Sequence, residues 1–202
     1  IMLETDNPNF DITNGQHKQF ASANVRASSM TFDSLGNAYS VFYTNSTYIT
    51  KMAPDGTVTP NWYDIGGGSI YMLSIVCTSN DELFMTSMGS DSVIKVVLNN
   101  GEAVSHETHF THASQLNSGE QLFTLAVNSN DEIFGAMEGS KRIVKFTSSD
   151  PTCVEYFTAP GHDDVRGLTF DMNDVLYSMS RKDHRLYKYT DTVSYTHLRA
   201  HE

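Results

Sequence analysis

MTFDSLGNAYSVFYTNSTYITKM, residues 30–52, decides the fold because the chain repeats it. The pattern returns as IVCTSNDELFMTSMGSDSVIKVV at 75–97, LAVNSNDEIFGAMEGSKRIVKF at 125–146 and LTFDMNDVLYSMSRKDHRLYKY at 168–189. Its aromatic falls at Tyr39, Phe84, Phe134 and Tyr177, so successive copies lie 45, 50 and 43 residues apart. A lysine follows each aromatic at nearly constant distance, at Lys51, Lys95, Lys145 and Lys188. Strand-built repeats of about 40–50 residues are the mark of propeller blades.

Within each copy the apolar residues alternate, as in Met30 and Phe32 or Leu125 and Val127, which sets them on one face of a strand. The first strand ends at Asp33, Thr78, Asn128 or Asp171. Leu35-Gly36-Asn37, Asn80-Asp81, Asn130-Asp131 or Asn173-Asp174 then supplies a turn whose residues tolerate tight backbone angles. A second strand carries the aromatic and a third the lysine, and Asp55-Gly56 or Asn100-Gly101 reads as a two-residue hairpin turn into a fourth. The expected fold is all-β, a partial β-propeller of about four blades with four antiparallel strands in each. The blades fall at 25–66, 67–117, 118–160 and, incomplete, 161–192, with 1–24 a lead-in or the remnant of a preceding blade. One blade cannot bury both of its faces. The recurring aromatic is therefore expected to fill the space between blades, and the recurring lysines to lie on a solvated strand face.

Residues 193–202, VSYTHLRAHE, read as the translation of a sequencing-library adaptor, a non-native tail, and the chain is expected to be part of a longer protein. Among 202 residues, 13 Lys and Arg stand against 24 Asp and Glu, a formal charge of −11. The resulting negative field argues against nucleic acid as a partner. The longest apolar run, residues 70–77, is far shorter than a membrane-spanning helix. Cys77 and Cys153 sit in different copies and in no metal or redox spacing, so both are expected to be unpaired, and they assign no compartment. Asn45-Ser46-Thr47 fits a glycosylation acceptor, which has meaning only in a secreted protein.

The order hydrophobic-x-hydrophobic-Asp, Gly-Asn or Asp-Glu, Tyr or Phe, then Arg-Ile-x-Lys-Phe resembles the NHL repeat and the related propellers of the SMP-30/gluconolactonase and streptogramin-lyase groups. Asp33-Ser34-Leu35-Gly36-Asn37-Ala38-Tyr39 and Arg142-Ile143-Val144-Lys145-Phe146 carry the likeness best, and it covers 25–192. It implies a ring of about six blades. The sequence departs from the pattern three residues after the aromatic, where Phe42, Ser87, Met137 and Ser180 replace the usual Asp, and the Arg survives only as Arg142 and Arg185. Gly167-Leu168-Thr169-Phe170 resembles the segment around one metal ligand of the gluconolactonases. Arg166 stands there in place of that family's Asn, which counts against a metal-dependent lactonase.

Strands in a blade alternate in direction, so the connections between blades and the turns joining second to third strands open at one end. Residues 105–120 and 159–166 lie on that rim, together with the turns at Asn45-Ser46, Ser90-Asp91, Ser140-Lys141-Arg142 and Asp183-His184. Loops on a rigid scaffold are where binding residues gather. Lys141, Arg142, Arg166, Asp183 and His184 are the candidate ligand-binding residues. His106, His109 and His112 offer three imidazoles to zinc, nickel or copper, against the plainer reading of a polar surface loop. His162-Asp163-Asp164 with Arg166 forms a second cluster, in which His162 and Asp163 are the candidate catalytic pair, a carboxylate orienting an imidazole for acid–base work, against a turn after Pro160-Gly161 with Asp163 or Asp164 bonding local amides. The expected function is a binding propeller whose rim loops recognise a protein, a glycan or a small molecule, with no cofactor unless a divalent metal is held. The alternative is a hydrolase or lyase acting on a lactone or cyclic ester in the central channel. An incomplete ring leaves the outer faces of its end blades uncovered, so the chain is also expected to self-associate.

Overall fold

The structure is a computed structural model that describes residues 27–43, 46–67, 71–88, 91–117, 120–138, 140–158, 164–182, 184–189 and 196–198. Consecutive strands form four antiparallel sheets of four strands each. The first holds β1 (Ala27–Phe32), β2 (Ala38–Phe42), β3 (Tyr48–Met52) and β4 (Val58–Asp64), and the second β5 (Met72–Cys77), β6 (Glu82–Ser87), β7 (Ser92–Asn99) and β8 (Glu102–Thr111). The third holds β9 (Gln121–Val127), β10 (Glu132–Glu138), β11 (Arg142–Thr147) and β12 (Val154–Thr158), and the fourth β13 (Val165–Phe170), β14 (Leu176–Ser180), β15 (Arg185–Lys188) and β16 (Thr196–Leu198). The first strands β1, β5, β9 and β13 abut in that order, so the sheets fan out from an inner row of strands. These are four blades of a β-propeller. The outermost strand of the last blade, β16, comes from the segment read as adaptor.

Each first turn is closed by its leading residue, as the sequence pattern requires. Asp33 Oδ1 accepts the amides of Leu35 and Asn37 at 3.0 and 2.8 Å, and Asp171 Oδ1 accepts those of Asn173 and Val175 at 2.8 and 3.0 Å. The turn's later position needs a left-handed backbone, filled by Gly36 (φ 83°), Asp81 (57°), Asp131 (59°) and Asp174 (57°). Asn100 and Gly101 form the expected two-residue hairpin, since Asn99 pairs with Glu102. The Asp55-Gly56 turn is longer than expected: Ala53 and Thr57 close it, which makes Pro54 part of the loop.

Three apolar clusters hold the blades together, one at each junction, and Tyr39, Phe84 and Phe134 each sit in one of them. The aromatic therefore fills the inter-blade space. A polar clasp repeats beside each cluster. Ser34 donates its amide and hydroxyl to the carboxylate of Asp81 on the next blade, Ser79 does the same to Asp131, and Ser129 to Asp174. Placing Asp at the left-handed position thus satisfies two demands at once, the turn's backbone angle and an acceptor for the neighbour.

Two expectations are corrected. Two of the lysines are not on a solvated face: Lys51 and Lys95 are only 12% exposed, whereas Lys145 is 32% exposed and pairs with Glu132 of its own blade. Lys51 stands 5.3 Å over the Trp62 ring and reaches the second blade, donating to Gly101 O at 2.5 Å and Glu102 at 2.7 Å. Lys95 pairs with Glu82 at 2.6 Å and donates to Ser148 Oγ of the third blade at 2.9 Å. A long aliphatic stem can be buried while its ammonium finds charged partners, so polarity alone did not place these side chains in water. The stretch 105–120 is not chiefly a rim loop either. β8 runs to Thr111, and a short helix, α1 (His112–Gln115), follows it. The alternation of polar residues there fits the exposed outer strand of a blade.

Asp131→Ala should lower stability by about 1–3 kcal/mol, because it removes a two-point charged contact and forces Ala into a left-handed angle. The shift in urea midpoint at constant m-value measures this. An unchanged midpoint would mean that the clasp carries no stability.

Candidate functional site

Every innermost strand carries a β-bulge at the same place. The register slips between Ala27 and Ser29, between Met72 and Ser74, opposite Phe123, and between Val165 and Gly167. A bulge re-aims the extra side chain. The four residues so displaced are Ser28, Leu73, Phe123 and Arg166. Ser28 bridges blades by donating to Met72 O at 2.8 Å. Arg166 instead lies over the Phe123 ring of the neighbouring blade, 3.8 Å from its centroid.

Arg166 belongs to a charged cluster at the end where the blade connections open. Asp164, just before β13, is buried and has φ 63°. Its Oδ1 meets Arg166 Nε at 2.6 Å and its Oδ2 meets Arg181 Nε at 2.8 Å, while its backbone carbonyl accepts the Arg181 amide at 3.1 Å. Two guanidiniums share one carboxylate, in a chain of net charge −11. Arg181 is 66% exposed and presents its own charge outward. Such a fork suits a carboxylate or phosphate.

Arg142 is engaged elsewhere: Glu120 at 2.6 Å and Glu155 at 2.9 Å hold it, tying the third blade's outer strands to the connection that leads into it. Lys141 is exposed on the β10–β11 turn, and His184 is exposed on the β14–β15 turn with φ 52°. His162, Asp163 and Asp183 lie outside the described residues.

β8 divides the imidazoles between two junctions. His106 faces the first blade, its Nδ1 2.9 Å from Tyr63 Oη. His109 faces the third, its Nε2 2.9 Å from Thr147 O and its ring against Phe84 and Phe146, and burial pushes its basicity down. His112 is buried and neither ring nitrogen has a hydrogen-bond partner among the described residues. Its backbone explains why: His112 N donates to Asp91 O as Ile65 N donates to Thr47 O, so the imidazole occupies the core position that Ile65 fills one blade earlier. Among the described residues, no three His, Cys, Asp or Glu side chains gather closely enough to hold a metal ion. Cys77 and Cys153 are both free, and burial pushes each thiol up to about 12.

Sequence reasoning set Asp164 and Arg166 in one cluster but missed Arg181 and Phe123. The signal was present only as repeat position, since Phe123 and Arg166 stand at the same place in adjacent copies.

No protein-family model and no curated protein sequence matches the chain. Solved structures do. A catalytically inactive histidine-to-alanine variant of virginiamycin B lyase from Staphylococcus aureus, determined with quinupristin, superposes with a TM-score of 0.67 at 14% identity over 89% of this chain and 57% of that one. The fold is that of a streptogramin-lyase-like β-propeller. A streptogramin B lyase structure gives a TM-score of 0.64 at 15% identity over 88% and 56% of the two chains. The extracellular domain of a putative one-component system from B. thetaiotaomicron gives 0.59 at 14% over 92% and 24%. The chain spans a little over half the length of the two lyases, 57% and 56%.

Burial lowers the His112 pKa from 6.5 to about 4. Above 6.5 both states are neutral there. Between 6.5 and about 4 only the unfolded chain takes up the proton, so stability falls as pH drops through that window, by roughly 3 kcal/mol in full. His112→Ile should raise the urea midpoint and flatten its decline on acidification. An identical pH profile in the variant would contradict the placement of His112.

Proposed function

We propose that this chain is a ligand- or protein-binding β-propeller scaffold that recognises its partner through the rim where the blade connections open. The observation that supports this is the cluster of Arg166 and Arg181 around Asp164, set on a bulge of the innermost strand and backed by Phe123. The exposed guanidinium of Arg181 favours an anionic group on the ligand, such as the carboxylate of an acidic glycan or peptide. The complete ring has about six blades in this reading, as the NHL-like pattern implies.

A second reading is a lyase or hydrolase that opens a cyclic ester in the channel, favoured by the likeness to streptogramin B lyases. His162 and Asp163 are its catalytic candidates. Incubation with quinupristin, followed by mass spectrometry, separates the two readings: a linear product supports the enzyme, and its absence together with saturable glycan or peptide binding supports the scaffold. An activity unchanged in His162→Ala would remove His162 from the mechanism.

For the scaffold, a panel of acidic glycans and peptides should yield a binder whose affinity falls about tenfold in Arg181→Ala without a change in melting temperature. A binder indifferent to Arg181→Ala and Arg166→Ala would place recognition elsewhere.

A further inference from the structure

The first two blade junctions differ at one place. At the junction between the second and third blades, Arg142 is held by Glu120 at 2.6 Å and by Glu155 at 2.9 Å. Strand register sets Ser92 in the place of Arg142 one junction earlier, because Ser92 precedes Val93 and Ile94 as Arg142 precedes Ile143 and Val144. Thr108 takes the place of Glu155, since Thr108 lies opposite Ile94 and Glu155 opposite Val144. A serine and a threonine thus stand at the first junction where the second has a guanidinium and a carboxylate.

The backbone alongside diverges too. Ile65 and His112 are equivalent, but His112 begins α1, whereas Ile65 is followed by Gly66 and Gly67 at φ 65° and 96°. A groove of about 240 Å³ lies there, lined by Gly66 and Gly67 of the blade connection and by Ser92, His106, Glu107 and Thr108 of the second blade. A Cβ added to Gly66 would meet nothing within 4 Å. Pockets that enclose a drug-sized ligand measure roughly 300–1,000 Å³, so this one is sized for a single side chain. Its lining includes Glu107 and no lysine or arginine. Next to it, hydrogen bonds from the Thr47 side chain and the Gly66 amide hold the Asp64 carboxyl below its usual range, which keeps it ionised at neutral pH.

We propose that this groove receives an arginine side chain from a protein partner, seated as Arg142 is seated one junction later. A guanidinium is flat, weakly hydrated and carries five donors, and the groove offers it hydroxyl and carboxylate acceptors in a chain of net charge −11. The site lies at the first junction, apart from the cluster of Arg166 and Arg181 on the last blade, and does not depend on it.

Nuclear magnetic resonance titration with a blocked glycine-arginine-glycine peptide tests this, with the citrulline peptide as its uncharged counterpart. The arginine peptide should shift the Gly66, Gly67 and Thr108 amides saturably at millimolar concentration, and the citrulline peptide should bind about tenfold more weakly. Thr108→Glu, at an exposed position, recreates the carboxylate of the second junction and should raise affinity for the arginine peptide about tenfold. Ser92→Arg combined with Thr108→Glu should fill the groove from within and abolish binding, with the circular dichroism unchanged. Equal binding of the two peptides, no shift at Gly66 and Gly67, or an affinity unmoved by Thr108→Glu would overturn the proposal, the first in favour of a neutral hydrogen-bonding ligand such as a sugar. If the double variant fails to fold, Thr108→Glu alone decides.

Discussion

A four-stranded sheet with apolar side chains on both faces cannot stand in water alone, and this constraint organises the whole chain. Tyr39, Ile49 and Val41 leave one side of the first sheet while Ile75 and Leu83 arrive from the second, so the core is divided into three clusters, one per junction. Hydrophobic burial is non-directional, and by itself it would tolerate sliding of one blade on another. The serine–aspartate clasps and the lysines that reach the next blade supply direction. Gly101 shows how close the fit is: a Cβ there would come within 2.7 Å of the Asn37 side chain on the neighbouring blade.

The same construction decides what is left over for function. Ser28, Ser29 and Ser74, polar residues on innermost strands, are engaged in bridging one strand to the next. The bulge that recurs in each innermost strand releases a side chain from the ladder, and only in the last blade is that side chain charged. Asp164 then fixes Arg166 and Arg181 in one place, with Asp164 and Arg166 largely buried and Arg181 exposed. The binding proposal rests on this rigid stack with an ionic cluster on its rim, and proteins that share the streptogramin-lyase-like fold include enzymes.

Strand order and turn chemistry were legible because they are local: period-two alternation, Asp or Asn at the turn and Gly at Asn100-Gly101 each act within a few residues. Lys51 and Lys95 were misplaced because part of their environment is made by another blade. Lys51 reads as a surface residue until Gly101 and Glu102, some fifty positions later, are brought against it. The three histidines look like one motif along the chain, yet a strand sends neighbouring side chains to opposite faces, so His106 and His109 serve different junctions. His112 shows the limit of residue type as a guide, since an imidazole there does the work of Ile65.

If the junctions carry the stability, protection from native-state hydrogen exchange should be greatest in β5–β7 and β9–β11, which have a neighbour on both faces, and should fall toward β1–β4 and β13–β15. Equal protection along the chain, or a maximum in the first or last blade, would contradict the account of a stack held together blade by blade.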